Sequence, residues 1–239
     1  KNLHYNADIQ VQALTLNNQL VGDLKVEAAQ PAGKRMIQVL TEISGANTAS
    51  LRGTYDPGTR VFDIEARIEQ LILAVADPFL NTLIRDSKGY VSGNFTLRGT
   101  PDKPALNGSI TTHDISTEVV ISGTRYRTSE HKITFSETEI DFGQLTLFDA
   151  NNRKANLSGK IRHSYLDDIQ RDMRVQTDGL QILNTTRDNN QLYYGKLFAK
   201  ADVHITGTPA LPRLDIVATT LDSSLLHVAD VVTDVRPLG

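Results

Sequence analysis

Phe62, Ile64, Ala66 and Ile68 interleave with Asp63, Glu65, Arg67 and Glu69, and Ala199, Ala201, Val203 and Ile205 interleave with Lys200, Asp202, His204 and Thr206. A period of two sends successive side chains to opposite sides of a strand, so each run predicts a strand with one covered and one wet face. Ile133/Phe135, Leu145/Leu147 and Leu214/Ile216 keep the same period over shorter stretches. Gly, Pro, Asn and Asp cluster between the runs, as at Tyr55 to Gly58, Asp149 to Asn152 and Arg187 to Asn190, where they supply turn conformations. The pattern predicts strands from end to end.

One stretch departs from it: DPFLNTLIRDSKG, residues 77–89. Asp77 suits an N-cap and Pro78 the first helical position, while Phe79, Leu80, Leu83 and Ile84 share one side at helical spacing. Lys88 and Gly89 suit a helix end. The spacing predicts a single short amphipathic helix near 77–88, its apolar stripe packed over the end of the β-structure.

The chain also repeats itself. Residues 97–112 and 205–220 share seven identities in sixteen positions, among them Gly99/Gly207, Pro101/Pro209, Pro104/Pro212 and Leu106/Leu214, and LRGT occurs at both 51–54 and 97–100. The shared unit is strand, Gly-Thr corner, strand, with Pro101 and Pro104 expected outside regular pairing because proline has no ladder donor. Recurring units of this kind predict an elongated, stacked architecture. A sandwich whose hairpin corners happen to recur fits the same residues.

Composition narrows the chemistry. The 239 residues are 39% hydrophobic and 22% charged, enough apolar material for a core, and the net charge of −3 comes without a basic cluster that could follow a phosphate backbone. Nucleic acid is therefore not an expected partner. There are no cysteines, which removes disulfides and thiolate chemistry. The six histidines have no metal-ligand spacing and are expected on exposed or strand-face positions; Asp167 and Asp168 are adjacent and read as loop carboxylates. The common acyl-transfer, phosphate and dinucleotide motifs are absent, so no catalytic residue, metal ligand or cofactor site is assigned. Discontinuous sites escape such a search, and a secreted β-rich hydrolase stays open at this stage.

An apolar sheet face must be covered, at about 1.5–3 kcal/mol per large aliphatic side chain. With one helix available, the choices are a closed sandwich and a curled sheet whose inner groove takes an apolar guest such as an acyl chain. Tryptophan is absent and aromatics are 6%, which speaks against a sugar-stacking surface. The pattern alone leaves sandwich and groove equal.

Three stretches carry a family resemblance: DPFLNTLIRDSKGYVSGNFTLRGTPDKPALNGSI, LTLFDANNRKANLSGKIRH and LQILNTTRDNNQLYYGKLFAKADVHITGTPALP. They resemble the C-terminal region of the TamB family, AsmA-like envelope proteins, in the version found in Bacteroidetes-type bacteria. The likeness runs from about Val75 to Val232, and the first 74 residues share only its style. It implies a β-groove with an apolar interior, in the periplasm of a diderm bacterium. It also implies that residues 1–239 are one continuous segment of a much longer protein anchored in the inner membrane. The implied work is carriage of phospholipids between the two membranes. The alternatives are a scaffold or chaperone for outer-membrane protein assembly with a BamA-like barrel partner, and a closed structural β-domain.

The resulting expectation is an all-β, elongated, mostly antiparallel curled sheet with one short helix and no enzymatic activity. Ile64, Phe95, Leu97, Leu106, Ile110, Val203, Ile205 and Leu214 are expected to contact phospholipid acyl chains, with Lys and Asp on the opposite face and self-association as the other way of hiding the strip.

Overall fold

The computed structural model describes residues 6–189 and 191–228. Fifteen strands make one antiparallel sheet. The first half holds β1 (Asn6–Leu16), β2 (Gln19–Ala29), β3 (Ile37–Ser44), β4 (Thr48–Asp56), β5 (Val61–Ile72), β6 (Ile84–Thr100) and β7 (Lys103–Val119). The second holds β8 (Thr124–Thr128), β9 (His131–Phe135), β10 (Glu139–Phe148), β11 (Lys154–Ser164), β12 (Asp167–Thr185), β13 (Tyr193–Gly207), β14 (Pro212–Thr220) and β15 (Leu225–Val228). The predicted all-β class holds.

The order in space is the order in the chain, with two broken ribs. β7 pairs Thr112 with His131 of β9 and Ile115 with Thr128 of β8, three residues on along each strand, so β8 and β9 are one strand interrupted at Ser129 and Glu130. β14 and β15 likewise follow one another along β13. The fifteen strands are thus thirteen ribs of a simple meander. At about 4.8 Å per step the ribs span roughly 60 Å. The pairings β1–β2, β4–β5, β5–β6, β6–β7, β10–β11, β11–β12 and β12–β13 all contain register shifts. Each such bulge bends its strand and increases the local twist, which curls the sheet.

The helix is shorter than its spacing predicts. A 3-10 turn, Leu73–Ala76, leads into α1 (Asp77–Leu80), and Ile84 already begins β6. Asp77 does not cap the helix: its Oδ2 accepts the Ser87 N–H at 2.9 Å, which draws 84–88 into the sheet, where Ile84 pairs with Val119. Gly89 does take a positive φ of 84°, but in a β-bulge of β6. The apolar stripe covers nothing, with Phe79 69% and Leu83 62% exposed. Pro101 lies in the β6–β7 turn as expected, whereas Pro104 sits inside β7 opposite Gly99, a strand-end place that tolerates a missing donor.

The repeat reaches much further than sixteen residues. β3 to β7 correspond to β10 to β14, rank by rank. Gly53, Ile64, Leu97 and Leu106 face one another across β4 to β7, and Gly159, Met173, Ile205 and Leu214 do so across β11 to β14. The next ranks match Leu51, Ala66, Phe95 and Gly108 to Leu157, Val175, Val203 and Ile216, and Tyr55, Phe62, Gly99 and Pro104 to Ile161, Arg171, Gly207 and Pro212.

Each repeat closes one edge of the sheet with a fully buried polar side chain at a short hairpin. Asn47, at the β3–β4 turn, donates through Nδ2 to the Val21 carbonyl (2.7 Å) and accepts the Ile72 N–H at Oδ1 (2.7 Å), tying β2 to the end of β5. Asp149, at the β10–β11 turn, accepts Asn151 N–H and Arg153 N–H at Oδ1 (2.8 and 2.9 Å) and Gln181 N–H of β12 at Oδ2 (2.9 Å). Across that turn the Tyr126 hydroxyl of β8 donates to the Gln181 carbonyl (2.9 Å). Much of the well-buried apolar material, Val21, Ile115, Leu180, Leu183 and Phe198, belongs to the strand ends on this edge.

Candidate functional site: an apolar face across thirteen ribs

Following partners from rib to rib shows what the meander builds. Starting at Ile9, the ladder runs through Val26, Thr41, Leu51, Ala66, Phe95, Gly108, Phe135, Ile140, Ile161 and Arg171 to Gly207 and Pro212, one residue from every rib. The parallel rank takes Val11, Leu24, Ile43, Ala49, Ile68, Gly93, Ile110 and Ile133. Because side chains alternate, both ranks point to the same side. Apart from Thr41 and Arg171, the residues of these ranks are apolar or glycine, so that side is mainly apolar along the sheet.

All eight residues expected to contact lipid lie on this face. Ile64, Leu97 and Leu106 are direct cross-strand neighbours, with Phe95 and Ile110 in the adjoining ranks. Val203, Ile205 and Leu214 form a second group on β13 and β14. Sequence reasoning missed the bridge between the groups, Ile133, Phe135, Ile140, Ile161, Met173 and Val175, because the alternating runs there are short. Phe95 and Phe135 meet edge to face, centroids 5.3 Å apart, over Gly108. At Gly108 φ is +150° and a Cβ would lie 2.1 Å from the Asn94 carbonyl oxygen, so only glycine lets the two rings approach.

Among the described residues the face has no second layer. Ile64, Phe95, Leu97, Leu106, Ile110, Val203 and Ile205 are half-buried and Leu214 is 53% exposed, whereas a closed core would bury them fully. The total accessible surface is 15,483 Å² for 26.3 kDa. A compact monomer of that mass exposes about 10,600 Å², and even the full unfolded-chain area of the undescribed residues, roughly 2,700 Å², leaves an excess near 2,000 Å². An open curled sheet accounts for it, and a closed sandwich does not.

The opposite face is polar and paired. Arg52 meets Glu65 (2.8 Å), Arg98 meets Asp63 (2.9 Å), Lys160 meets Glu139 and Asp141 (2.8 and 3.1 Å), and Arg174 meets Asp202 (2.7 Å). Hydrogen bonds from Arg174 and then Gln176 hold the Asp202 carboxyl down at about 2. Hollows of about 820, 730 and 720 Å³ are open troughs on this face, between side chains such as Lys154, Gln176 and Lys200, Gln10, Lys25 and Glu42, or Arg52, Glu65 and Asn94.

The histidines follow expectation in part. His204 bonds Asp172 (2.9 Å) on the polar face, and the His131 ring sits 2.6 Å from the Phe142 carbonyl oxygen. His163 is buried instead, its Nδ1 accepting the Leu166 N–H (3.2 Å); His4 lies outside the described residues. Asp167 and Asp168 open β12, both exposed, and so stand on a strand end instead of a loop. Among the described residues no group of His, Asp and Glu could hold a metal ion. Ser92, His113 and Glu130 do fall in line, Ser92 Oγ 2.8 Å from His113 Nε2 and His113 Nδ1 3.7 Å from the Glu130 carboxylate. The trio lies on the polar face, with the Tyr90 ring stacked on His113 at 4.5 Å, and Ser92 is mid-strand between paired neighbours. The three tie β6, β7 and the β8–β9 break together.

No helix among the described residues is long and apolar enough to cross a membrane. No curated protein and no solved structure matches the chain. Residues 34–145 match the family model of the TamB C-terminal domain, a span that includes all of β3 to β7. The match starts well before the stretch whose motifs show the likeness, and it leaves out the LNTT to YYG run. Residues 34–145 of this chain, just under half of it, are therefore similar to the TamB C-terminal domain, whose family is one of the cell envelope.

Proposed function

We propose that this chain is a non-enzymatic segment of a periplasmic conduit, carrying phospholipid acyl chains on its apolar face between the inner and outer membranes. The observation that carries this reading is the apolar face that runs from rib to rib, interrupted in the traced ranks only by Thr41 and Arg171, with no layer of protein over it among the described residues. Area burial at about 25 cal/mol per Å² holds an acyl chain without fixing its position along the ranks, so a chain can move from rib to rib. Gently purified protein should retain lipid in native mass spectrometry and solvent extraction, and Phe95→Asp or Val203→Asp should lose most of it while keeping the β-type circular dichroism. A lipid-free monomer, or charged variants that retain lipid normally, would refute the reading.

Among the described residues no strand pairs with the outer edge of β14, and this favours a second reading, a scaffold for outer-membrane strands working with a BamA-like barrel, because an unpaired edge can accept a further strand. Proline at Val217, which pairs with Asp202 and so belongs to the polar face, would abolish that activity and leave lipid retention intact, the reverse of the Phe95→Asp pattern.

A further inference from the structure

Arg171 is the one charged residue in the ranks traced above. It falls in phase with Met173 and Val175 on β12, half-buried, between Ile161 on one side and Gly207 on the other. The corresponding position in the first repeat is Phe62. Asp172 faces the other way and is occupied by His204 at 2.9 Å. Among the described residues the Arg171 side chain makes no hydrogen bond and no ion pair, while the side chains of Arg52, Arg98 and Arg174 are all paired on the polar face. A guanidinium standing on an apolar face without a counter-ion is poorly placed unless an anion comes to it.

We infer that Arg171 is a headgroup station: it binds the phosphate of a phospholipid whose acyl chains lie on the neighbouring apolar ranks. The inference rests on the lipid-bearing reading of the face and adds selectivity to it. An acyl chain gains only from burial and is indifferent to its headgroup, whereas a planar guanidinium offers two parallel N–H donors to a phosphate. The position suits the task, because Arg171 stands near the start of β12, beside the exposed Tyr165, Leu166 and Ile169, where a headgroup stays wet while its chains run along the neighbouring ranks. The apolar part of the rank, from Phe95 to Ile161, extends about 20 Å from that point along the sheet.

The test uses the 239-residue chain with two probes of equal chain length, dioctanoylphosphatidylglycerol and dioctanoylglycerol, titrated calorimetrically below their critical micelle concentrations. Unaltered protein should prefer the phospholipid on the order of tenfold, the worth of one charge-assisted pair. Arg171→Gln should erase the preference while binding dioctanoylglycerol as before, and Arg171→Lys should restore part of it. Inorganic phosphate alone should bind at least a hundredfold more weakly, which separates a headgroup site from a free-anion site. Retained preference in Arg171→Gln overturns the inference and shows an arginine that merely reaches for water at the rim. Equal binding of both lipids to unaltered protein overturns it while leaving the apolar-face reading standing, and binding of neither lipid overturns both.

Discussion

Removing the Asp149 carboxylate tests whether the closed edge holds the second repeat together. The side chain is fully buried and accepts three backbone N–H groups, two within its own turn and one, Gln181, from β12. A hydrogen bond to a charged group contributes about 1.5–3 kcal/mol, and a buried donor left without a partner costs a similar amount. Water can reach the exposed Asn151 turn, so its loss there is partly repaired; Gln181 is 6% exposed, and its loss is not. Asp149→Asn keeps an oxygen for the turn but presents an NH2 group to the Gln181 N–H, which gives about 1.5–3 kcal/mol of destabilisation. Asp149→Ala loses all three bonds and leaves a small void, for about 3–5 kcal/mol. With an unfolding entropy near 2.1 cal/mol/K per residue, 3 kcal/mol lowers the melting temperature of a chain this size by roughly 6 °C. Calorimetry reads the global effect and hydrogen exchange at Gln181 the local one: both variants should speed exchange there. If Asp149→Ala melts within a degree of the parent and Gln181 stays protected, the buried carboxylate does not tie β12 to the turn.

Gly108→Ala forces a Cβ to within 2.1 Å of the Asn94 carbonyl at a φ that side chains avoid, and should cost about 1–3 kcal/mol in denaturant unfolding, with the Phe95–Phe135 contact broken in aromatic nuclear Overhauser spectra. The depressed Asp202 pKa means that its contribution to stability is fully present above the ordinary carboxylate value of 3.8 and is lost as pH falls toward about 2. Arg174→Gln should therefore raise the Asp202 pKa in a carboxyl NMR titration and move the acid-unfolding midpoint up, and a titration unchanged from the parent would show that the pair is not formed in solution.

Period-two alternation was enough to read the strands and to put these eight residues on one face of the sheet, because strand phase is local. The extent of the repeat was not legible. Gly53 matches Gly159, Ile64 matches Met173 and Leu97 matches Ile205, and the spacing shifts by a few residues from strand to strand as turn lengths change, so an ungapped comparison sees only the last hairpin. The helix misled for a related reason: Phe79, Leu80, Leu83 and Ile84 have helical spacing, but the partner of Asp77 is ten residues away at Ser87, and β6 claims Ile84. Arg171 carries no mark in the sequence either. Its meaning comes from standing in phase with Met173 and Val175, and from lacking a side-chain partner of the kind that Arg52, Arg98 and Arg174 have on the other face.

The meander has a consequence for how such a chain is made and unmade. Each rib is joined to the next by a short connection, the broken ribs included, so no pairing waits for a distant part of the sequence to arrive. Contacts that close small loops form quickly, and a sheet assembled this way can grow in the order of synthesis, each hairpin templated on the edge left by the one before. Stability then accumulates as a sum over neighbouring ribs, and opening starts at the outermost strands and travels inward, with the Asn47 and Asp149 turns as the points where it stalls. An inserted or deleted hairpin changes the length of the sheet by about 10 Å and disturbs only the two ribs it touches.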